Sequence, residues 1–261
     1  MSNSTKQIKN FTSQARSEFT ALGQIALKIA RPLVWRTEEE AEDSKWRGAT
    51  CFVLRFEHGL VGVTAGHVIE IVEAEIEKAE TLSCYLRTSP LDLKASLICH
   101  DRALDLATFR ITEQQLVDSE TMALDCRDAW PPPVPRKDSQ ILCAGFPEAL
   151  REPSQGGITK FEALAYFSFA QDVTERFIIA TYEVDRDYRL IAHPSMPELR
   201  SNWSGCSGGP VLMPGEHNGR LRFFSVGVII DGPSEGDRST LEFDMYKFHR
   251  INSINPDGSI G

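Results

Sequence analysis

The sequence predicts an all-β protein of two β units preceded by an N-terminal helical arm. Three observations carry this. Short apolar runs separated by turn signals recur from about Lys45 onward. A helical period is confined to the residues before Pro32. A proline-rich strap, Trp130-Pro131-Pro132-Pro133-Val134-Pro135, divides the β region and reads as a linker, since proline donates no ladder bond and stiffens the chain.

Taken in order, Ile8, Phe11, Ala15, Phe19, Leu22, Ala26 and Ile29 recur at steps of three and four, which puts them on one helix face. Pro32 disfavours helix at Arg31. Between Lys6 and Arg31 there are five basic residues and one acid, Glu18, so the arm is locally positive. A helix docked on the domain behind it is expected. A membrane-surface helix, a transit peptide or an arm that receives a regulatory protein partner are the other readings. Ala49–Phe56 and Leu60–Ala65 flank a hairpin turn at Glu57-His58-Gly59. The acidic stretch Ile69–Leu82 reads as a solvated helical connector. Further strands are predicted at Ala95–Cys99 and Leu106–Ile111. Beyond the strap come Gln140–Ala144, Phe177–Tyr182, Pro210–Met213, Phe223–Ile230 and Leu241–Tyr246. The resulting division is an arm over 1–45, a first β unit over 46–126, a linker over 127–138 and a second β unit over 139–261. Pro256-Asp257-Gly258 reads as a surface tail.

Composition narrows the function. The chain has 261 residues and a formal charge of −9, which argues against a general nucleic-acid binder because phosphate contacts need excess Lys and Arg. No apolar run approaches the ~20 residues of a membrane span. The six cysteines include no C-x-x-C pair, so finger-type metal sites have no support, and no pattern calls for a cofactor. With no secretory layout at the N-terminus, reduced thiols in the cytoplasm are expected.

The strongest local signal is Gly205-Cys206-Ser207-Gly208-Gly209-Pro210. A nucleophilic serine needs a tight turn and nearby backbone N–H groups to hold an oxyanion; Gly205 and Ser207 are the natural amide donors. By itself a glycine-rich serine stretch is often only a turn. Val63-Thr64-Ala65-Gly66-His67-Val68 sets a histidine at the end of an apolar strand, and Leu104-Asp105-Leu106-Ala107-Thr108-Phe109 sets an acid at the start of another. Singly, these are commonly a structural histidine and a capping acid. Together, in the order His67, Asp105, Ser207, they suit a charge-stabilised nucleophile.

These three segments resemble the signatures of the chymotrypsin/trypsin-like serine protease superfamily, in the manner of a bacterial-type intracellular member. Val226-Gly227-Val228-Ile229-Ile230-Asp231-Gly232 resembles the strand that lines the substrate cleft in that family. The resemblance spans about Trp46 to Ile251. It implies two six-stranded antiparallel β-barrels with the site between them. It implies a serine endopeptidase acting on a protein or peptide substrate, with Ser207 as nucleophile, His67 as general base and Asp105 orienting His67. Ser201 and Asn202 would lie at the base of the specificity pocket, and Ile230, Asp231 and Gly232 along the cleft. With no aspartate at 201, a neutral side chain of small or medium size is expected at the cleavage site, although Asp231 leaves room for a basic one. Where secreted relatives carry an aspartate that pairs with a freed N-terminal amine, this chain has Cys206, and no Ile-Val-Gly-Gly-like start occurs. The cysteine that usually follows the catalytic histidine is replaced by Val68. The resemblance therefore implies no zymogen-type activation. Cys206 is expected to be a small packed residue.

Two rivals remain. Gly-Cys-Ser-Gly-Gly also satisfies the elbow of α/β-hydrolase esterases, but that fold needs a helix after the serine, and here Pro210 opens an apolar strand-like run. An inactive or sensor-type protease fold serving as a binding scaffold is the non-enzymatic rival.

Overall fold

The computed structural model describes residues 13–37, 46–78, 82–153, 159–182, 187–191, 203–232 and 244–261. Helix α1 (Ser13–Ile29) leads directly into an eight-stranded sheet. Its strands are β1 (Arg31–Thr37), β2 (Arg47–Phe56), β3 (Gly59–Ala65), β4 (Leu82–Leu86), β5 (Ser89–Pro90), β6 (Leu97–Asp101), β7 (Leu106–Ile111) and β8 (Leu124–Asp125). They run in the order β5-β4-β1-β2-β3-β7-β6, with β8 pairing in parallel to β2.

The remaining strands are β9 (Gln140–Gly145), β10 (Arg151–Pro153), β11 (Thr159–Phe161), β12 (Leu164–Val173), β13 (Phe177–Tyr182), β14 (Tyr188–Ile191), β15 (Pro210–His217), β16 (Arg220–Asp231) and β17 (Asp244–Arg250). All but β10 and β11 form one sheet, ordered β13-β17-β16-β15-β9-β12-β14. A further β12–β13 pairing closes six of them, β9, β12, β13, β17, β16 and β15, into an antiparallel barrel. Closure removes the exposed edges that an open sheet leaves. Strands β10 and β11 pair with each other in an antiparallel way, apart from that sheet.

Among the described residues one barrel of the expected pair is closed, and a second closed barrel is not shown. Among the described residues no pairing joins β6 to β4 or β5. Helices take up that face instead. In α2 (Gly66–Ile76) Val68, Ile69 and Val72 are buried, and in α3 (Leu93–Ser96) Leu93 is buried, all in one cluster with Leu33, Val53, Ala107 and Phe109. The stretch from Ile69 is thus a core helix on one side rather than a solvated connector. Its acids lie on the other side, except Glu75, which accepts from Trp35 Nε1 at 2.7 Å and pairs with Arg47. The strand expected at Ala95 begins instead at Leu97, because Asp92 caps α3 by accepting from the Ala95 amide at 2.9 Å.

Residues 31–37, expected within the arm, are a strand lying between β2 and β4. Leu33, Val34 and Trp35 are buried, which favours the sheet once the helix has ended. Arg31 joins the two elements. It donates to the carbonyls of Leu27 and Ala30 at the end of α1, and to those of Ser119 and Glu120 following α4 (Glu113–Asp118). A cation at the helix C-terminus satisfies carbonyls that have no partner within the helix. Ala26 and Ile29 of α1 are fully buried, in a cluster that includes Phe52 and Leu54 of the first sheet and Leu142 and Leu212 of the second. The expected helix-face residues Ile8 and Phe11 lie outside the described residues.

The C-terminal segment is not a free tail. Ile254 is buried, and Thr108 Oγ1 donates to Gly258 O at 2.5 Å, so residues 254–260 fold back on the first sheet. The strap packs too, with Trp130 edge-on to Phe56 at 5.0 Å and donating to Ile254 O. All six cysteines are free thiols. Among the described residues no helix is long and apolar enough to cross a membrane.

Candidate active site

The first half of the site follows from strand register. In the antiparallel β3–β7 pair, Ala65 lies opposite Leu106. Residues just after Ala65 and just before Leu106 therefore emerge at the same end of the sheet. His67 is the second residue of α2, and Asp105 immediately precedes β7. Asp105 has φ +52, a left-handed conformation that aspartate tolerates better than most residues. A Cβ on Gly66 would stand 3.0 Å from the Asp105 carbonyl carbon and the Leu106 nitrogen, so glycine allows the two segments to close up.

In that geometry Asp105 holds His67 in two ways. Its Oδ1 accepts from the His67 backbone N–H at 2.7 Å, and its Oδ2 lies 2.9 Å from the ring Nδ1. The carboxylate also faces the first turn of α2, where exposed amides favour negative charge. With Asp105 ionised, the proton sits on Nδ1 and Nε2 is left as the basic nitrogen. Both side chains are half-buried.

The second half is the turn from Trp203 to Gly209. Trp203 anchors it in the barrel core, 4.7 Å from the Tyr166 ring and 4.5 Å from that of Tyr246. Cys206 is fully buried against Gly145, and burial pushes its thiol pKa up, which makes it the packed residue expected and a poor nucleophile. Gly205 and Gly208 take φ +91 and +87. The turn is tied to both sheets. Thr50 of β2 donates its N–H to Ser207 O at 3.0 Å and its hydroxyl to Gly205 O at 2.7 Å, while Gly208 donates to Ile229 O of β16 at 2.7 Å. A Cβ on Gly208 would be 2.1 Å from Thr50 O and 3.0 Å from the nitrogen of Ala65, two residues before His67. Ser207 is thus seated beside the strand end that carries His67. Among the described residues no hydrogen bond joins Ser207 to His67, and none is donated by the amides of Gly205 or Ser207.

Of the expected cleft residues, Ile230 is half-buried and packs on the first-sheet core, and Asp231 is exposed opposite Lys247. Gly232 lies against Trp203. Ser201 and Asn202 lie outside the described residues. Also among the described residues, no group of three His, Cys, Asp or Glu is gathered to hold a metal ion.

No family model matches the chain, and neither does any curated protein. The solved structures similar to it include the following two. One is a thermostable serine protease, AL20, from an extremophilic microorganism, with a TM-score of 0.45 and 11% identity, covering 87% of this chain and 93% of that one. The other comes from work on the coupled folding and binding of the intrinsically disordered Sesbania mosaic virus VPg protein. It has a TM-score of 0.40 and 12% identity, over 85% of this chain and 92% of that one. Both likenesses are remote and say nothing about chemistry at the site.

Thr50, Glu148 and Arg151 also shape the turn, and no motif in the sequence singles them out. Thr50 had a signal, since a hydroxyl inside the apolar run Ala49–Phe56 must find a partner when buried. Glu148 and Arg151 had none, because they reach the turn from a distant segment.

Proposed function

We propose that the chain is a serine endopeptidase that cleaves peptide bonds through an acyl-enzyme, with Ser207, His67 and Asp105 as its triad. The observation that supports this most is the double grip of Asp105 on His67, at the sheet end beside which the Ser207 turn is seated. In this reading Ser207 Oγ attacks the scissile carbonyl carbon while its proton passes to His67 Nε2. The amides of Gly205 and Ser207 receive the developing oxyanion. The imidazolium, stabilised by Asp105, hands its proton to the leaving amine as the C–N bond breaks. Water then attacks acyl-Ser207, losing its proton to the same imidazole; the acyl–Oγ bond breaks as that proton returns to Ser207 Oγ, and the acid product departs. The strand end Ile230–Gly232 flanks the substrate, with a neutral residue of small or medium size preferred at the cleavage site.

Labelling with a fluorophosphonate probe tests this. Wild type is expected to label and Ser207→Ala not to. The same variant is expected to lose on the order of 10⁶ in turnover, by analogy with another serine protease whose triad acts as a unit. Sequencing the cut sites in a diverse peptide library then defines the substrate. The lack of a Ser207–His67 hydrogen bond among the described residues favours a second reading, a protease-fold scaffold or an enzyme gated by a partner on the arm. Wild type that neither labels nor cuts the library selects the scaffold. Labelling that begins only when a partner is added selects the gated enzyme.

A further inference from the structure

We propose that Glu148 and Arg151 form a built-in acid–cation pair that holds the Ser204–Gly205 peptide in its working orientation, in place of a freed N-terminal amine. This rests on the endopeptidase reading and concerns how that same site is kept ready.

A trans peptide points its carbonyl and its following N–H in opposite directions. The Ser204 carbonyl accepts from the Glu148 N–H at 2.6 Å, so the Gly205 N–H is directed away from Glu148. The Cys206 carbonyl likewise accepts from the Gly209 N–H at 2.9 Å, which turns the Ser207 N–H away from that bond. The second tie lies within the turn. The first depends on a separate segment, and Gly205, lacking a Cβ, resists rotation of its own peptide weakly.

Glu148 is held in turn. Ser204 Oγ donates to its Oε2 at 3.0 Å, and Arg151 Nη1 lies 3.5 Å from its Oε1. The Arg151 side chain is only 10% exposed. Its Nη2 donates to Gly48 O of β2 at 2.5 Å, and a Cβ on Gly205 would stand 2.7 Å from that same nitrogen. A nearly buried guanidinium therefore lies directly behind the turn, bonded to the first sheet and paired with Glu148, whose amide holds the Ser204 carbonyl. A buried charge persists only where such partners compensate its lost hydration. The turn itself carries no acid, since Cys206 occupies the position next to Ser207. The ionic lock has moved one segment back.

The test compares Arg151→Met and Glu148→Gln with wild type in fluorophosphonate labelling and in steady-state cleavage of a peptide found by the library screen. Arg151→Met is expected to lose on the order of 10²-fold in kcat with KM little changed, the effect of removing one oxyanion donor. Arg151→Lys and millimolar guanidinium added to Arg151→Ala are each expected to restore part of it. Glu148 is largely exposed, so Glu148→Gln keeps the fold and is expected to lose about tenfold, near the contribution of one charged hydrogen bond. If both variants keep wild-type kcat, the lock is wrong and the endopeptidase reading stands. If activity falls only in proportion to folded protein, with no rescue, the pair is purely structural and the lock is equally wrong. If wild type neither labels nor cuts the library, with or without an added partner, the two proposals fall together.

Discussion

Among the described residues His67 is held by one carboxylate at the end of the first sheet, whereas the Ser207 turn is pinned from both sheets and anchored by a buried tryptophan. On these contacts one residue restrains the imidazole ring, whereas the turn cannot move without breaking several bonds. A general base has to change partners during a reaction, and a serine with its oxyanion donors has to arrive already aligned. On this reading the difference in restraint follows the difference in task.

Of the variants that probe this contrast, the largest expected effect strikes the Asp105 tether. Asp105→Asn keeps the φ +52 conformation, which asparagine tolerates, and keeps an acceptor for the His67 amide. It removes the charge that fixes the Nδ1 proton, and kcat is expected to fall about 10⁴-fold with the melting temperature nearly unchanged. A variant that stayed within tenfold of wild type would show that the tether is not catalytic.

A smaller effect is expected on the pinned side, and it appears in stability. In Gly208→Ala the new Cβ meets the Thr50 carbonyl oxygen at 2.1 Å, a backbone atom that cannot step aside, and φ +87 is strained for any L side chain. The loss is expected to exceed about 4 kcal/mol by urea unfolding, or to abolish folding. A loss below about 1 kcal/mol would mean that the turn is looser than its bonds suggest.

The smallest effect concerns a group between the two halves. His249 of β17 is 2% exposed, and its Nε2 has no hydrogen-bond partner among the described residues. Burial lowers its pKa, helped by Arg176, while the Arg250 carbonyl, Asp105 and Asp101 oppose the shift. The unfolded chain binds that proton more readily. The contribution of His249 to stability is therefore complete above the unfolded value near 6.5 and is lost as pH falls through the lower native value. His249→Phe keeps the ring packing and is expected to flatten the fall in urea midpoint between pH 7.5 and 5. An unchanged slope would assign the titration elsewhere.

What could be read from the chain alone was local. Gly205 and Gly208 announced a turn that needs positive φ, and the alternation before His67 and after Asp105 announced strands. The meeting of His67 with Asp105 depends on the register of Ala65 against Leu106, which neither segment states by itself. The open side of the first sheet was hidden for the same reason: the acids of α2 mask its buried Val68, Ile69 and Val72 when the stretch is read by charge. Leu33, Val34 and Trp35 read as part of the arm because Pro32 marks where a helix stops but not where the following residues go. Gly258 reads as a surface turn by itself, because the hydroxyl that its carbonyl serves, Thr108, is 150 residues away.

The path from α1 through Arg31 into β1 has a practical consequence. Shortening the protein to residue 45 would withdraw the strand between β2 and β4 and leave β4 with β5 as its remaining partner in the sheet. It would also free the carbonyls of Ser119 and Glu120 from the guanidinium that now serves them. Any gain or loss of activity in such a truncated protein reports a divided scaffold, and only cuts placed ahead of residue 13 ask what the arm itself controls.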